Sequence, residues 1–421
     1  MASENGKAFR WHSQKKTKGE DMSQIKKTQN RSGNGISRKA RTVLRYYDYN
    51  LLAGVVLLTC FGLVMIYSTS AYQSRIENNG NDMYYFMKQA RISAVCLVGA
   101  LIFSQIDYHK LMKYAPWLYM AANGLMMLTK FAGRESHGAT RWLYIGPISI
   151  QTAEIAKVAV ILFLPMMIVK LGRNVRNLKG LAVILLLGAV PAFFAYYFTN
   201  NLSTALIIMG IAVFMIYVVY PKTKIMTAAG IGILVAGYSI ARYIGMSLES
   251  SGKFRLRRLM VWIDPEAYPD DGGYQVLQGL YAIGSGGFFG KGLGNSTQKL
   301  SALPEAQNDM IFAIICEERG VFGVAMLTLM FVFLLYRLLF IAQNAPDLLG
   351  SLIVTGIFAH IALQAMLNIM VVLNVIPTTG VTLPFVSYGG TAVVFLMSEI
   401  TLALSVSRQI RFKEEREETG G

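Results

Sequence analysis

Ten apolar segments of roughly bilayer length, about 20 residues each, constrain this chain more than any other feature. They cover approximately residues 51–71, 90–104, 114–131, 152–171, 181–198, 202–220, 225–246, 310–342, 348–373 and 383–406. Only 15% of the residues are charged and 54% are hydrophobic, whereas a soluble domain carries about 25% charged residues. The sequence therefore predicts an all-α polytopic membrane protein with about ten transmembrane helices.

The charges of the connecting segments predict how these helices are oriented. Lys and Arg are concentrated in the amino-terminal tail and in the loops at residues 109–113, 170–179, 221–224 and 408–416. These segments would share one side of the membrane, and the positive-inside rule makes that side cytoplasmic. Both termini are then predicted to be cytoplasmic, with a large extracytoplasmic loop at residues 247–308 between spans 7 and 8. We expect re-entrant or interfacial helices in that loop, because backbone at membrane depth must be covered by protein.

Three regions are predicted along the chain: residues 1–46, 47–408 and 409–421. Twelve of the first 45 residues are Lys or Arg, and the scarcity of apolar residues there predicts a disordered cytoplasmic tail. Nucleic-acid binding would also explain such charge. A basic tail before a first span is more simply a positive-inside signal that attracts anionic lipid. We therefore predict membrane lipid, and no nucleic acid, as its partner. Residues 47–408 form the ten-span domain, and residues 409–421 a second cytoplasmic tail.

Cysteine and histidine usage points away from a metal site. Cys60, Cys96 and Cys316 all lie in apolar runs, and the four histidines are scattered along the chain. No spacing matches a zinc site or a disulfide framework. We predict no cofactor and no bound metal, and leave open whether a divalent cation assists.

Four acids occur where the eighth apolar segment begins: Glu305, Asp309, Glu317 and Glu318. A carboxylate at bilayer depth costs roughly 2.5–3.5 kcal/mol on insertion scales, so it is a functional-site hypothesis by default. Asp309 stands where the long polar loop meets the helix, which favours a functional role. Glu317 lies about 12 Å further along a helix that rises 1.5 Å per residue. Two carboxylates that act on one bond lie roughly 5–9.5 Å apart, so we interpret Glu317 and Glu318 as inner-network residues.

The large loop also carries a basic cluster, Arg255, Arg257 and Arg258, on the side that the positive-inside rule disfavours. Contact with lipid head groups is one interpretation. The other is an anion site, because arginine matches phosphate oxygens bidentately. The nearby segment GSGGFFGKGLG, residues 284–294, follows no predicted strand. We therefore predict tight turns and close helix packing there, not a nucleotide loop.

Four motifs occur in order along the chain. They are GLVMIYSTSA at residues 62–71, RWLYIGPISIQTAEIAK at 141–157, a long segment at 271–320 that contains GLGNSTQKL and LPEAQND, and LNIMVVLNVIPTTGVTLPFVSYGG at 367–390. Together they resemble the SEDS family (shape, elongation, division and sporulation) of bacterial peptidoglycan glycosyltransferases, and its FtsW/SpoVE-like branch more than its RodA-like branch. The resemblance covers nearly all of the chain after the basic tail.

This resemblance implies a reaction and its partners. Family members polymerise lipid II, a disaccharide-peptide on undecaprenyl pyrophosphate, on the outer face of the cytoplasmic membrane. The family works with a class B penicillin-binding protein, a transpeptidase, and with other divisome proteins. We accordingly expect a multi-pass protein of the bacterial cytoplasmic membrane that acts at the division or sporulation septum.

The resemblance also implies site residues. Asp309 matches the family's essential aspartate, so we expect it to be the general base, with Glu305 binding sugar hydroxyls or assisting it. Positive charge is needed near the leaving pyrophosphate, and the candidates for this role are Lys299, Arg255, Arg257 and Arg258.

The motif at residues 141–157 adds Arg141, Glu154 and Lys157 as candidate substrate-binding residues. Glu154 and Lys157 are spaced i,i+3 and share one helix face. An ion pair that stabilises a packed core explains them nearly as well as contact with substrate.

Two other functions compete with the enzyme. In a lipid II flippase, the intramembrane charges Glu154, Lys157 and Arg242 would line a polar path, although no internal repeat of the kind common in transporters is evident. A scaffold that recruits the penicillin-binding protein is a third function, and it is compatible with catalysis.

Overall fold

A computed structural model describes residues 46–411, except for 137–138, 147, 248–253 and 301–302. Its helices are α1 (Tyr49–Glu77), α2 (Tyr84–Phe103), α3 (Tyr108–Leu111), α4 (Ala115–Ala132), α5 (Thr152–Leu171), α6 (Leu178–Tyr197), α7 (Leu202–Val219), α8 (Thr223–Ser247), α9 (Phe254–Ile263), α10 (Gly273–Ser285), α11 (Ile311–Asn344), α12 (Leu348–Val372) and α13 (Gly390–Ser407). Short 3₁₀ helices occupy Gly172–Arg176 and Pro269–Asp271. The basic tail and residues 412–421 lie outside the described residues, so the predicted disorder stays a prediction.

Ten long helices correspond to the ten predicted segments: α1, α2, α4 to α8 and α11 to α13. Within the described ranges, nine helices are long and apolar enough to cross a membrane. The tenth, α4, has 18 residues, about 27 Å at 1.5 Å per residue, but Asn123 and Lys130 reduce its apolar character. It packs against α5 and α6 within the bundle. The prediction of an all-α polytopic membrane protein is confirmed.

Helix α12 lies at the centre of the bundle and packs against α5, α7, α11 and α13. Several helices begin with a side chain that accepts a hydrogen bond from a free backbone N–H, as helix caps do. Asp48 caps α1, Asn201 caps α7 and Asp347 caps α12. By contrast, α8 leaves almost all of its apolar side chains exposed, as expected of a helix that faces lipid.

A small antiparallel sheet between α4 and α5 was not predicted from the sequence. Its strands are β1 (Arg134–Ser136), β2 (Ala139–Ile145) and β3 (Ile148–Gln151), in the order β1-β2-β3. Trp142 pairs with Gln151 across β2 and β3, and β2 packs against both α4 and α5. These contacts hold β2 against α4 and α5, which the sheet connects.

The large loop re-enters the bundle, as predicted for residues that must be covered at membrane depth. Helix α10 packs along α11, and the turn that follows it reaches the point where α11 is broken at Gly320, with φ 63°. The carbonyls of Glu317 and Glu318 accept hydrogen bonds from the backbone N–H groups of Lys291 (2.9 Å) and Gly292 (3.0 Å). The loop thus supplies hydrogen-bond donors to two helix carbonyls that would otherwise lack a partner because of the kink at Gly320.

Glu317 and Glu318 form an inner network, as predicted. Lys291 Nζ lies 2.7 Å from Glu317 Oε1, and Lys299 Nζ lies 2.8 Å from Glu318 Oε1. The Ser68 hydroxyl donates to the Glu318 carboxylate at 2.7 Å. The glycine-rich segment packs closely too, since a Cβ on Gly286 would lie 2.0 Å from the Cys316 carbonyl oxygen.

Lys299→Met should destabilise the protein by about 3–5 kcal/mol, because the Glu318 carboxylate would stay buried without its partner charge. The side chains of Lys299 and Glu318 are only 7% and 0% exposed. Thermal melting in detergent would measure the loss. Lys291→Met is the matched comparison and should cost less: its partner Glu317 is as buried as Glu318, but the Lys291 side chain is 32% exposed, so solvent already screens that pair, and Ser296 and Thr297 also bond Glu317. Equal melting shifts for the two variants would contradict this account.

Candidate active site

Asp309 lies in the turn that leads into α11, and its backbone is held from two sides. Asn368 Nδ2, on α12, donates to the Asp309 carbonyl oxygen at 2.8 Å. The Ser387 hydroxyl, in the segment before α13, donates to the Asn308 carbonyl oxygen at 2.6 Å. The turn is therefore fixed between α12 and the residues that precede α13.

Two arginines from distant parts of the chain converge on Asp309. Arg141 comes from β2 and Arg258 from α9, and both interact electrostatically with the Asp309 carboxylate. Arg141 and Asp309 both lie beside Gly380: a Cβ there would lie 3.5 Å from Arg141 Nη1 and 3.7 Å from Asp309 Oδ2. Its φ of 70° also favours glycine. Arg258 Nη1 donates to the Thr378 carbonyl oxygen at 3.1 Å, two residues earlier.

Helix α9 carries Arg258 to the site because it is docked on the segment after α12. Trp262, one helical turn from Arg258, donates through Nε1 to the Asn374 carbonyl oxygen at 3.1 Å. The Asn374 side chain returns a hydrogen bond to the Trp262 carbonyl oxygen at 3.3 Å. Arg258 and Trp262 are spaced i,i+4 and therefore lie on one face of α9.

Several polar atoms around Gly380 are buried and have no hydrogen-bond partner among the described residues: Asp309 Oδ1, Arg141 Nε and Thr379 Oγ1. More than about 90% of buried backbone polar groups, and the large majority of buried side-chain polar atoms, are paired in folded proteins. A group of exceptions at one place therefore indicates a site for a polar ligand. The described residues contain no group of three or more His, Cys, Asp or Glu side chains that would hold a metal ion.

The surroundings of Asp309 make its carboxyl group a weaker acid than usual. Burial, followed by the neighbouring Glu305 carboxylate, raises the pKa of Asp309 to about 7, while Arg258 and Arg141 act in the opposite direction. Burial, and then the charge of Arg141, lower the pKa of Arg258 to about 10. A carboxylate with a pKa near neutrality is well matched to accepting a proton at physiological pH.

Glu305 lies in the turn that precedes Asp309. Its backbone has φ 55°, and its carbonyl oxygen accepts from the backbone N–H of Asn308 at 2.9 Å. The Asn308 side-chain amide also donates to the Glu305 carboxylate. This turn sets Glu305 near Asp309, where its charge acts on the Asp309 carboxyl group.

The other predicted basic residues differ in position. Arg257 lies on α9 next to Arg258, and the side chain of Arg255 lies outside the described residues. Lys299 Nζ is paired with Glu318 and also contacts the Ser68 hydroxyl at 3.1 Å. Because this pairing neutralises Lys299 inside the protein, it argues against the pyrophosphate-binding role that we predicted, and we leave Lys299 out of the site.

Glu154 and Lys157 also lie inside the bundle. Lys157 Nζ is 2.8 Å from Glu154 Oε1, and their side chains are 2% and 9% exposed respectively. Lys157 Nζ also donates to Gln364 Oε1 at 2.8 Å. The geometry favours the alternative that the sequence left open, a packed ion pair, over direct contact with substrate.

Sequence reasoning assigned no role to Thr379, Gly380 or Asn368. All three fall within the motif at residues 367–390. The signal that could have found Thr379 and Gly380 was a run of small and polar residues, PTTG, between two apolar segments, since binding residues concentrate in loops. Asn368 lies outside this run, within α12.

Comparisons with known proteins identify the family of the chain. The family model described as cell cycle protein, FtsW/RodA/SpoVE, matches residues 49–412. Stage V sporulation protein E of Bacillus subtilis (strain 168) is 34% identical over 368 residues, which is 87% of this chain and 98% of that protein. A probable peptidoglycan glycosyltransferase FtsW of Geobacter sp. (strain M18) is 32% identical over 370 residues, covering 87% and 98% of the two chains.

Solved structures have the same fold. A chain from a peptidoglycan synthase complex that coordinates polymerization and crosslinking matches with a TM-score of 0.67 and 25% identity, over 86% of this chain and 98% of that chain. The rod shape determining protein RodA of Thermus thermophilus matches with a TM-score of 0.62 and 24% identity, over 87% and 98%. The resemblance seen in the sequence motifs is thereby confirmed, and the chain belongs to the FtsW/RodA/SpoVE family of polytopic membrane proteins.

Proposed function

We propose that this protein is a peptidoglycan glycosyltransferase that polymerises lipid II into glycan strands on the outer face of the cytoplasmic membrane, in division or sporulation septum synthesis. The observation that carries the proposal is the Asp309 carboxylate, set beside Gly380 with two arginines at the junction of loop and membrane helix. The names of the relatives, peptidoglycan glycosyltransferase FtsW and a sporulation protein, support it.

The chemistry follows from the residues. A sugar hydroxyl of the acceptor attacks the anomeric carbon of the donor, and the bond from that carbon to the pyrophosphate oxygen breaks. Asp309 accepts the hydroxyl proton, and undecaprenyl pyrophosphate leaves with the bonding electron pair. Arg141 and Arg258 stabilise the negative charge that develops on the leaving group, which is the role of preorganised cations in such sites.

A class B penicillin-binding protein is the proposed partner, at the septum and together with other divisome proteins. The support is the similarity to a chain from a complex that coordinates polymerization and crosslinking. Such a partner would act by favouring one arrangement of the large loop, which requires different contacts with the two arrangements.

The test is glycan synthesis from labelled lipid II by the purified protein in detergent, with and without the partner. We expect polymer that increases with the partner and does not change with ionophores, because lipid II in detergent needs no translocation. Absence of glycan with an active partner, together with translocation of lipid II in liposomes that depends on Glu154 or Arg242, would favour a flippase. Against the flippase, Glu154 and Lys157 pair with each other inside the bundle, whereas Arg242 is exposed on α8.

Polymerisation should fall steeply as the pH drops through about 7. Asp309 must be ionised to accept a proton, and its pKa is raised to about 7, so the active form is present above this pH and is lost below it. The check is kcat at saturating lipid II between pH 5.5 and 9. If kcat did not fall between pH 9 and pH 5.5 while the protein stayed folded, no group with this pKa would limit the reaction.

A further inference from the structure

Helix α12 carries a polar stripe through the centre of the bundle. His360, Gln364 and Asn368 follow one another at four-residue intervals, so they lie on one face. All three are at most 2% exposed. Burying polar groups costs free energy unless they form hydrogen bonds. The hydrogen-bond partners of these residues therefore show which segments the stripe holds in place.

Asn368 joins two backbone segments at the candidate active site. Its Nδ2 donates to the Asp309 carbonyl oxygen at 2.8 Å and to the Val381 carbonyl oxygen at 2.7 Å. An amide nitrogen has two hydrogens, and both are used here. The amide therefore fixes the distance between Asp309 and the residue that follows Gly380.

Gln364, one turn earlier, holds the next residue of the same segment. Its Oε1 accepts from Lys157 Nζ at 2.8 Å, and the lysine ammonium can only donate. His360 Nε2 also lies 2.8 Å from Oε1, so Oε1 is the amide atom that faces Lys157. Gln364 Nε2 must then point the other way, where it donates to the Thr382 carbonyl oxygen at 3.1 Å.

We infer that Lys157, Gln364 and Asn368 form a buried positioning relay, which sets the Asp309 carboxylate against Gly380 and Arg141 without touching substrate. Lys157 orients Gln364, and Gln364 and Asn368 clamp the consecutive carbonyls of Thr382 and Val381. The Glu154–Lys157 pair thereby affects turnover from inside the membrane. The inference rests on the proposed glycosyltransferase function only in that turnover is one of its two readouts.

The relay predicts that Asn368→Leu lowers kcat by about 10²-fold, the loss that a misplacement of about 1 Å causes, while the KM for lipid II changes less than about threefold. Leu has nearly the size of Asn and no donor. The matched control is Asn123→Leu in α4: Asn123 is also buried, but among the described residues its Nδ2 donates to the Tyr119 carbonyl oxygen of its own helix, at 2.8 Å. This control should retain nearly full activity.

A second readout does not depend on polymerisation. Carbodiimide labelling of Asp309, followed by peptide mass spectrometry across a pH series, reports the ionisation and access of its carboxyl group. Asn368→Leu should shift the labelling midpoint or change the labelling rate at least threefold, and Asn123→Leu should do neither. If Asn368→Leu does not fold, Asn368→Ala replaces it, because the smaller side chain removes both donors without adding bulk or charge.

A double mutant tests the link to Lys157. If Lys157 acts through Gln364, the variant carrying Lys157→Met and Gln364→Met should be no slower than Gln364→Met alone, because the effects of residues in one network are not additive. If the double variant instead lost activity by the product of the two single-variant factors, the link between Lys157 and Gln364 would be overturned. Wild-type labelling of Asp309 in Asn368→Leu would overturn the relay, whereas absence of glycan from the wild-type protein would overturn only the proposed function.

Discussion

Replacing Asp309 by Asn should reduce glycan synthesis by about 10²–10⁴-fold, the usual contribution of a positioned general base, while the protein stays folded. The amide has the shape of the carboxylate but cannot accept the hydroxyl proton. The backbone contacts of residue 309, including the hydrogen bond from Asn368, do not involve its side chain and should persist in the variant. Initial rates of polymerisation from labelled lipid II measure the loss, and co-purification with the partner and thermal melting measure the fold.

Asp270→Asn is the control for this prediction. Asp270 lies in the same large loop, in the 3₁₀ helix Pro269–Asp271, and is exposed. Its loss removes the same charge from the same side of the protein without touching the site. Polymerase activity within twofold of wild type in Asp309→Asn would refute the role of Asp309 as the base.

Neutralising Arg141 and Arg258 together, by changing both to Gln, should lower kcat for polymerisation by about 10²–10³-fold, the range for removing one preorganised donor from a developing anion. The two guanidinium groups reach Asp309 from different elements, β2 and α9, so either one alone leaves a cation in the site. With Arg141→Gln in place, Arg258→Lys should be little more active than Arg258→Gln. Lysine lacks the forked guanidinium through which Arg258 Nη1 bonds the Thr378 carbonyl oxygen.

The control for the arginines is Arg75→Gln, on the predicted outer side. Arg75 pairs with Asp82 at 3.2 Å and its side chain is 67% exposed, so it should contribute little to stability or activity. Rates of undecaprenyl pyrophosphate release by the double variant and by this control would be compared at saturating lipid II. A double variant as fast as the control would mean that other groups stabilise the leaving group.

The bundle was predictable because its helices are long and apolar, and because backbone in lipid must be helical. The small sheet was missed since its strands are short and lie at the membrane surface, where no apolar alternation marks them. Arg258 was predictable from its place on the side that the positive-inside rule disfavours. Lys299 was expected near the pyrophosphate from the family resemblance, whereas its observed partner Glu318 lies 19 residues further along the chain and becomes its neighbour only in the folded protein.

The positioning residues were beyond the reach of the sequence for a similar reason. Asn368 looks like a polar interruption in an apolar helix, which in membrane bundles most often bonds a neighbouring helix. Its partner, the Asp309 carbonyl oxygen, is 59 residues away. Lys157 and Gln364 are 207 residues apart. These contacts depend on how α12 packs against α5 and against the turn before α11, which local patterns do not determine.

The central claim is that glycosidic bonds form at Asp309 with loss of the lipid pyrophosphate, and the most direct test follows both products of one reaction. Purified protein with its partner would be given labelled lipid II in detergent, and glycan bonds and released undecaprenyl pyrophosphate would be counted over time. We predict that the two rise together, one pyrophosphate for each bond, and that both are lost in Asp309→Asn. Pyrophosphate release without glycan, or equal product formation by the Asp309→Asn variant, would contradict the account.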